Sequence, residues 1–245
     1  MKQFFFLQSL PRCGNTLLSS IVNKNKNIKI TSNSIVSEIL FQTKLLKNNE
    51  LYKNFPDKKS FDNVFMNIFN LYYKDWESEY IIDRGPWGTP FNLNMLREIF
   101  SERKFIILHR PVLECLASFI KIKNPLDKDN YCDYLMSQQG IIGKYLLGIN
   151  NLIKEKEKLI FIDYKNLIKN LKNEIKNIFK FLNIKNFTID TEKLSQFSIN
   201  DVYYDDSIYN CNLHKIRTDK IEYAEIDINK YLSKNIIKKY SSYHI

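Results

Sequence analysis

The sequence predicts a three-layer α/β/α fold of the P-loop type, built on a central, mostly parallel sheet of about five strands. Three observations carry this. Short, continuously apolar runs recur along the chain, each the length of a strand covered on both faces. Segments with helical spacing of apolar residues alternate with them, which is the pattern of βαβ units. The 245 residues also contain only six glycines and six prolines, with no linker rich in either and no internal repeat. Residues 1–245 therefore read as a single domain, with the part from about residue 201 a closing loop and a terminal helix.

Residues 3–8, QFFFLQ, read as the first buried strand, and residues 16–25 as the helix after it. Residues 28–30 form a short strand, and residues 34–46 a helix with Ile35, Ile39 and Leu46 apolar. An amphipathic helix follows at 61–76, a strand at 80–83 and a helix at 91–100. Residues 104–109, KFIILH, are a second buried strand, followed by a helix at 112–122. The polar stretch 123–130 contains Pro125 and reads as a loop. Residues 131–156 read as one long helix broken near Gly140 and Gly143, residues 159–163 as a strand, and residues 171–182 as a helix ending near Asn183. Past residue 200 the pattern weakens until a final helix at 228–240. Ligands of parallel sheets bind beyond the carboxyl ends of the strands. The residues after Gln8, Ile82, Leu108 and Ile162 are therefore expected to line the site.

Composition narrows the function classes. Apolar residues make up 44% and charged residues 26%, which is globular and excludes a fibre or a disordered chain. No apolar run approaches the roughly 20 residues of a membrane span. The apolar start is too short for a signal-peptide core, so a cytoplasmic protein is expected. The net charge of +10 points toward polyanions, yet only six of the 37 basic residues are arginine. The lysines are scattered among Asn, Ile, Tyr and Phe, as compositional drift would leave them. The arginines run against that drift, and arginine is the better bidentate partner for phosphate or sulfate. Stable nucleic-acid binding is not expected. Cys13, Cys115, Cys132 and Cys211 form no C-x-x-C pair and no cysteine–histidine cluster with zinc spacing, so no metal is expected and a reduced compartment fits.

The chemistry lies at the strand ends. The first strand runs into Ser9-Leu10-Pro11-Arg12-Cys13-Gly14-Asn15-Thr16 and then a helix. Against G-x-x-x-x-G-K-[ST], Ser9 takes the first glycine position, Gly14 the second, Asn15 the lysine and Thr16 the hydroxyl. Loop length and context are kept, so main-chain N–H groups and a helix N-terminus face an anion. The lysine that holds β- and γ-phosphates is missing, which disfavours a triphosphate with magnesium; Arg12 offers charge instead.

Pro11-Arg12-Cys13-Gly14-Asn15-Thr16-Leu17-Leu18 resembles the P-R-S-G-T-T-L-L loop of sulfotransferases. That family transfers a sulfuryl group from 3′-phosphoadenosine 5′-phosphosulfate (PAPS), leaving 3′-phosphoadenosine 5′-phosphate (PAP), without a metal. The resemblance implies that Arg12, Cys13, Gly14, Asn15 and Thr16 cradle the 5′-phosphosulfate. A second signature of the family is an arginine at a strand end with a serine eight residues on, which recognises the donor's 3′-phosphate. Arg110 and Ser118 match that spacing, although Pro111 follows the arginine directly where the family has Asp-Pro. The strand ending Asp83-Arg84 is similar to the family's Asp-Lys strand, which puts Arg84 near the transferred group; a structural Asp–Arg pair is the other reading. Residues 159–167, ending in Tyr164-Lys165-Asn166-Leu167, resemble a strand ending in Tyr-Glu-x-Leu, so Tyr164 would approach the nucleotide. Lys215 and Arg217 are candidates for a late basic loop that closes over the donor. The whole pattern looks like the short bacterial and viral sulfotransferases related to the tyrosylprotein type.

In-line attack on sulfur needs positioning, charge stabilisation and a proton acceptor. The acid at the tyrosylprotein enzymes' base position is replaced by Asn33, so Glu38, Asp83 and His214 stay open as bases. His109 is expected to face the sheet packing, and Trp87 either stacks on a ligand or fills the core. The acceptor, whether sugar, peptide, lipid or metabolite, is not legible. A kinase of a nucleotide or small molecule on the same loop is the alternative reading, and a basic nucleic-acid binder a third.

Overall fold

In the computed structural model, residues 2–185, 194, 196–199, 202–209, 211–216 and 221–243 are described. Five strands, β1 (Gln3–Ser9), β2 (Ile28–Ile30), β3 (Tyr80–Arg84), β4 (Lys104–His109) and β5 (Lys158–Asp163), form one sheet in the order β2-β3-β1-β4-β5. Every pairing in it is parallel. The predicted α/β architecture and its strands are thus observed. The chain leaves β1 first toward β2 and β3, then crosses to β4 and β5, so the strand order reverses beside β1. A parallel sheet presents its ligand crevice at such a switch point.

The aromatic run of β1 explains why it is central. Phe6, fully buried, meets Phe69, Trp87, Phe100 and Phe105 at ring distances of 5.4–5.9 Å. Phe5 faces the other way and stacks on Tyr80. Gln8 is also fully buried in this strand, and it is satisfied: its Nε2 donates to the Tyr145 carbonyl at 3.1 Å and its Oε1 accepts from Gly88 N–H at 3.0 Å. Trp87 is fully buried and donates Nε1 to Asp83 Oδ1 at 3.0 Å, so it fills the core.

Helices α1 (Asn15–Val22), α2 (Val36–Leu45), α3 (Glu50–Asn54), α4 (Lys58–Tyr72), α5 (Pro90–Ile99) and α6 (Val112–Lys123) carry the chain between strands. The helix predicted over 131–156 with a break near Gly140 and Gly143 is indeed broken there, into α7 (Lys128–Met136) and α8 (Ile141–Lys154). Asp127 caps α7 early by accepting from Asn130 N–H, and the chain breaks at Gly140, where a Cβ would lie 1.9 Å from the Tyr134 carbonyl oxygen. Two short helices, α9 (Tyr164–Lys169) and α10 (Leu171–Leu182), follow β5. The predicted final helix is likewise split, into α11 (Ile228–Tyr231) and α12 (Lys234–Tyr240), because Ser233 caps the second piece through Ile236 N–H. Between them and α10, β6 (Ser198–Ile199) and β7 (Val202–Tyr203) make a small antiparallel pair that the sequence pattern did not announce. Among the described residues no helix is long and apolar enough to cross a membrane.

Candidate active site

The loop after β1 turns twice through left-handed backbone. Arg12 has φ 68° and Gly14 φ 87°, and Gly14 is the N-cap of α1. Only glycine takes the second position without strain, and space demands it too: a Cβ on Gly14 would stand 2.5 Å from Cε2 of Tyr164. The cap makes no side-chain hydrogen bond to the helix, so the first N–H groups of α1 are left to other partners. The Cys13 side chain points inward, fully buried, with its Sγ 3.8 Å from Cys115 Sγ; burial pushes its thiol well up. Asn15 is buried and spans back to the Leu10 carbonyl through Nδ2 at 3.1 Å, while its Oδ1 has no partner. Thr16 is half-buried in the first turn of α1.

The second anion motif converges on this loop. Arg110, 5% exposed, follows β4 directly, and Ser118 lies two turns into α6. Arg12 joins them: its Nε donates to Ser118 Oγ at 3.3 Å, and its carbonyl accepts from Arg110 Nη1 at 3.4 Å. Tyr164, at the start of α9 and 7% exposed, lies under the guanidinium of Arg110 at 4.8 Å. Asp163 holds this tyrosine in place by capping α9 through Asn166 N–H at 2.9 Å. The sequence did not anticipate what else meets Arg110. Its Nε donates to Glu114 Oε2 at 2.7 Å and its Nη2 to the Ala224 carbonyl at 2.7 Å. Tyr223 donates its hydroxyl to the same Glu114 oxygen at 2.7 Å.

On the other side of β1, Arg84 is 9% exposed and fixed from three directions. Its Nε donates to Ser9 Oγ at 3.0 Å, its Nη1 to the Ser32 carbonyl at 2.7 Å, and its N–H to Thr31 Oγ1 at 2.9 Å. The Tyr145 ring lies beside its guanidinium at 5.5 Å. Asp83 does not pair with it. Asp83 is fully buried and accepts from Ser34 Oγ at 2.7 Å, from Trp87 and from Tyr73. Burial raises its carboxyl to about 6 against the pull of those donors and of Arg84. Neither oxygen faces a ligand space. Glu38 is exposed on α2 and accepts from Gln42 Nε2 on its own helix.

His214 differs from both. With Tyr203, Tyr204, Asp206, Lys215 and Ile216 it lines a cavity of about 910 Å3. Its Nδ1 lies 2.7 Å from Asp206 Oδ1, and its ring stacks on Tyr204 with centroids 4.2 Å apart. Burial works to raise the Asp206 carboxyl, but the His214 N–H, its imidazole and Leu213 N–H hold it below the usual range. The Tyr204 hydroxyl accepts from Asn33 N–H at 3.0 Å and donates to the Asn33 carbonyl at 2.7 Å, which ties the cavity to the segment holding Arg84. Lys215 is exposed at the cavity rim; Arg217 and His244 lie outside the described residues. His109 is half-buried edge-on to Phe161, as its place in the sheet packing requires, and burial lowers its imidazole. Asp206, Glu114 and Tyr223 escaped the sequence reading. Glu114 left a signal, an acid one helical turn beyond Arg110; Asp206 and Tyr223 lie where no periodicity marks a partner. Among the described residues no group of three or more histidines, cysteines or acids could hold a metal ion.

The sheet order and the glycine-turned loop at its switch point define a parallel α/β protein with a strand–loop–helix site between β1 and β4. The chain belongs to the sulfotransferase family: the family model for the sulfotransferase domain matches residues 2–243. Solved structures agree in fold. A sulfotransferase domain from the curacin biosynthetic pathway aligns with TM-score 0.57 and 16% identity over 98% of this chain and 97% of that one. Mouse sulfotransferase SULT7A1, solved with PAP, aligns with TM-score 0.57 and 13% identity over 98% and 81%. A sulfotransferase from Alicyclobacillus acidocaldarius aligns with TM-score 0.52 and 12% identity over 78% and 85%. No curated protein matches the sequence.

Proposed function

We propose that the protein transfers a sulfuryl group from PAPS to an acceptor hydroxyl or amine. One observation carries the choice of donor: Arg12 bonds Arg110 through its carbonyl and Ser118 through its side chain, so the loop after β1 and the arginine–serine pair stand side by side as one prospective anion-binding surface. Such a surface suits a nucleotide with anionic groups at both ends. In this reading the N–H groups of Cys13, Gly14, Asn15 and Thr16, with Arg12, bind the 5′-phosphosulfate. Arg110 and Ser118 bind the 3′-phosphate, and Tyr164 packs against the nucleotide. That PAP occupies the mouse structure supports the same donor.

Transfer forms a bond from the acceptor oxygen or nitrogen to sulfur and breaks the bond from sulfur to the 5′-phosphate oxygen of PAP. Arg84 is preorganised beside Ser9 and stabilises the charge that develops on the sulfuryl and bridging oxygens. The cavity beside His214 receives the acceptor. Of the three proton acceptors the sequence offered, His214 is the one that faces a cavity. With Nδ1–H donated to Asp206, its Nε2 carries the lone pair that takes the acceptor's proton. Lys215 and Arg217 lie on the segment that would close over the donor.

The test is PAP binding in the absence of magnesium, read as a rise in melting temperature, followed by transfer from radiolabelled PAPS to a panel of phenols, amines, sugars and tyrosine peptides. Arg110→Ala should weaken PAP at least 30-fold. A melting temperature unmoved by saturating PAP, with a rise in magnesium and ATP instead, would replace this reading with that of a kinase.

A further inference from the structure

Arg110 is the residue on which 3′-phosphate recognition depends in the reading above, and each of its three guanidinium nitrogens already has a partner. Its Nε is on Glu114, its Nη2 on the Ala224 carbonyl and its Nη1 directed at the Arg12 carbonyl. The Tyr164 ring at 4.8 Å and the Tyr223 ring at 5.5 Å, themselves 5.4 Å apart, pack together on one side of it. Only 5% of the residue is exposed. Three of the partners, Glu114, Tyr223 and Ala224, come from two sources. Glu114 is one helical turn along α6. Tyr223 and Ala224 belong to a strap, residues 221–227, that lies against Arg110 and Glu114 and is anchored by Ile221 and Ile226 packing on the core. The Tyr223 hydroxyl closes the set by donating to the Glu114 oxygen that Arg110 also uses. Burial, then the Glu114 charge, pushes that phenol up to about 12, so it stays a proton donor at any working pH.

A buried guanidinium left without a partner is strongly unfavourable. The free protein therefore needs this arrangement. A donor's 3′-phosphate needs the same N–H groups. It arrives with up to two negative charges, and a carboxylate within a few ångströms repels it whether or not it lets go of Arg110. We propose that Glu114 is the internal counter-ion of the donor site: the 3′-phosphate competes with it for Arg110 and displaces the strap that carries Tyr223 and Ala224. Glu114 thereby sets the affinity for every 3′-phosphorylated nucleotide, PAP included. A site built only from arginine, serine and main-chain amides would hold the spent product tightly, and product release limits many enzymes. A competing carboxylate loosens it without touching the transferring end of the nucleotide.

This inference rests on the donor reading above, and the experiment separates the two. PAP and AMP, which differ in the 3′-phosphate, are titrated by calorimetry into the wild-type protein, Glu114→Gln and Tyr223→Phe. Glutamine keeps the size and hydrogen-bonding reach of the side chain and removes its charge. Glu114→Gln should bind PAP at least tenfold more tightly and leave AMP within twofold. Tyr223→Phe, which frees the strap from Glu114, should tighten PAP by a smaller factor. The free Glu114→Gln protein should melt at a lower temperature than wild type and gain more on adding PAP. If Glu114→Gln binds PAP equally or more weakly, Glu114 only orients Arg110 and the inference is wrong. Equal tightening of AMP overturns it too, because the effect would not lie at the 3′-phosphate. Wild-type protein that binds no PAP at all would remove the donor assignment itself, and this inference with it.

Discussion

Gly14→Ala tests the phosphate loop at the point where backbone and packing constrain it together. Two costs can be read from the structure. A residue with a Cβ held at φ 87° loses about 1–2 kcal/mol. The Cβ also needs space 2.5–2.6 Å from two ring atoms of Tyr164, about an ångström inside normal contact. Tyr164 has little freedom to retreat, being 7% exposed beneath Arg110 and Tyr223. Overpacking at a site of this kind costs about 1–3 kcal/mol. The sum, roughly 2–5 kcal/mol, corresponds to a fall in melting temperature of about 5–15 °C for a chain of this length. The loop N–H groups must shift with it, so PAP should protect the variant poorly. Thermal melts with and without PAP give both numbers. The collision and the dihedral can be separated in a double-mutant cycle with Tyr164→Ala, which empties the contested space. The pair should be more stable than additivity predicts by about 1–3 kcal/mol. Strict additivity would refute the collision, and a Gly14→Ala melt within 2 °C of wild type with PAP protection intact would refute the whole account of the loop.

Two further outcomes follow from the neighbouring groups. Asp83 ionises near 6 in the fold against 3.8 as a free side chain. A folded value raised above the unfolded one means stability that is fully present below 3.8 and lost as pH rises through 6. Measured by urea unfolding against Asp83→Asn, which does not titrate there, the wild type should therefore lose about 3 kcal/mol between pH 3.5 and pH 8; a constant difference would show that the carboxyl is not held up. Asp206→Asn exchanges the carboxylate that fixes the His214 ring for a neutral amide, which can turn its NH2 to the ring nitrogen and favour the wrong tautomer. It should lower turnover about 10–100-fold, in the range of a general base put out of place, while the melting shift given by PAP stays as in wild type. Equal loss of PAP protection would mean that Asp206 holds the fold and not the base.

What the sequence revealed depended on whether a residue's role is set by its neighbours in the chain. The strands of the parallel sheet were legible because burial on both faces makes their apolar runs continuous, as in the KFIILH of β4. The loop at Gly14 was legible because a strand, a short loop and a helix follow one another directly in the chain; the Arg110–Ser118 pair was picked out only by its resemblance to the sulfotransferase signature. Helix ends were legible only in part. The break between α7 and α8 was legible at Gly140, but Asp127 starts α7 inside a polar stretch read as a loop, and Ser233 caps α12 inside a segment read as one helix. Helix α9 was missed because six residues are too few to show a period, and the cap at Asp163 was its only signal. The partners of Arg110 and His214 illustrate the limit. Asp206 meets His214 across a turn of a weakly patterned segment, and Tyr223 reaches Glu114 from over a hundred positions away. Likewise Asp83 and Arg84, adjacent in sequence, do not pair, because side chains alternate across a strand and each found partners on its own side.

Under the proposed function, the two halves of the site are prepared in opposite ways. On the transfer side, residues 31–34 spend nearly all their polar groups holding one another's neighbours. Thr31 and Ser32 take Arg84, Ser32 Oγ meets Ser19 Oγ of α1 at 3.1 Å, Asn33 is clasped by Tyr204, and Ser34 donates to Asp83. None of these bonds has to break for a ligand to enter, so Arg84 is aimed before the donor arrives, and aim at developing charge is worth most when it requires no reorganisation. On the 3′-phosphate side, the bonds to Arg110 stand where the ligand's own would be. In that reading, a rigid arginine at the reacting end and a contested one at the far end would favour the transition state without gripping the nucleotide, because only interactions stronger in the transition state than in the ground state accelerate the chemical step. It follows that stabilising substitutions in residues 31–34 should act on turnover, and substitutions in the strap or Glu114 on nucleotide affinity.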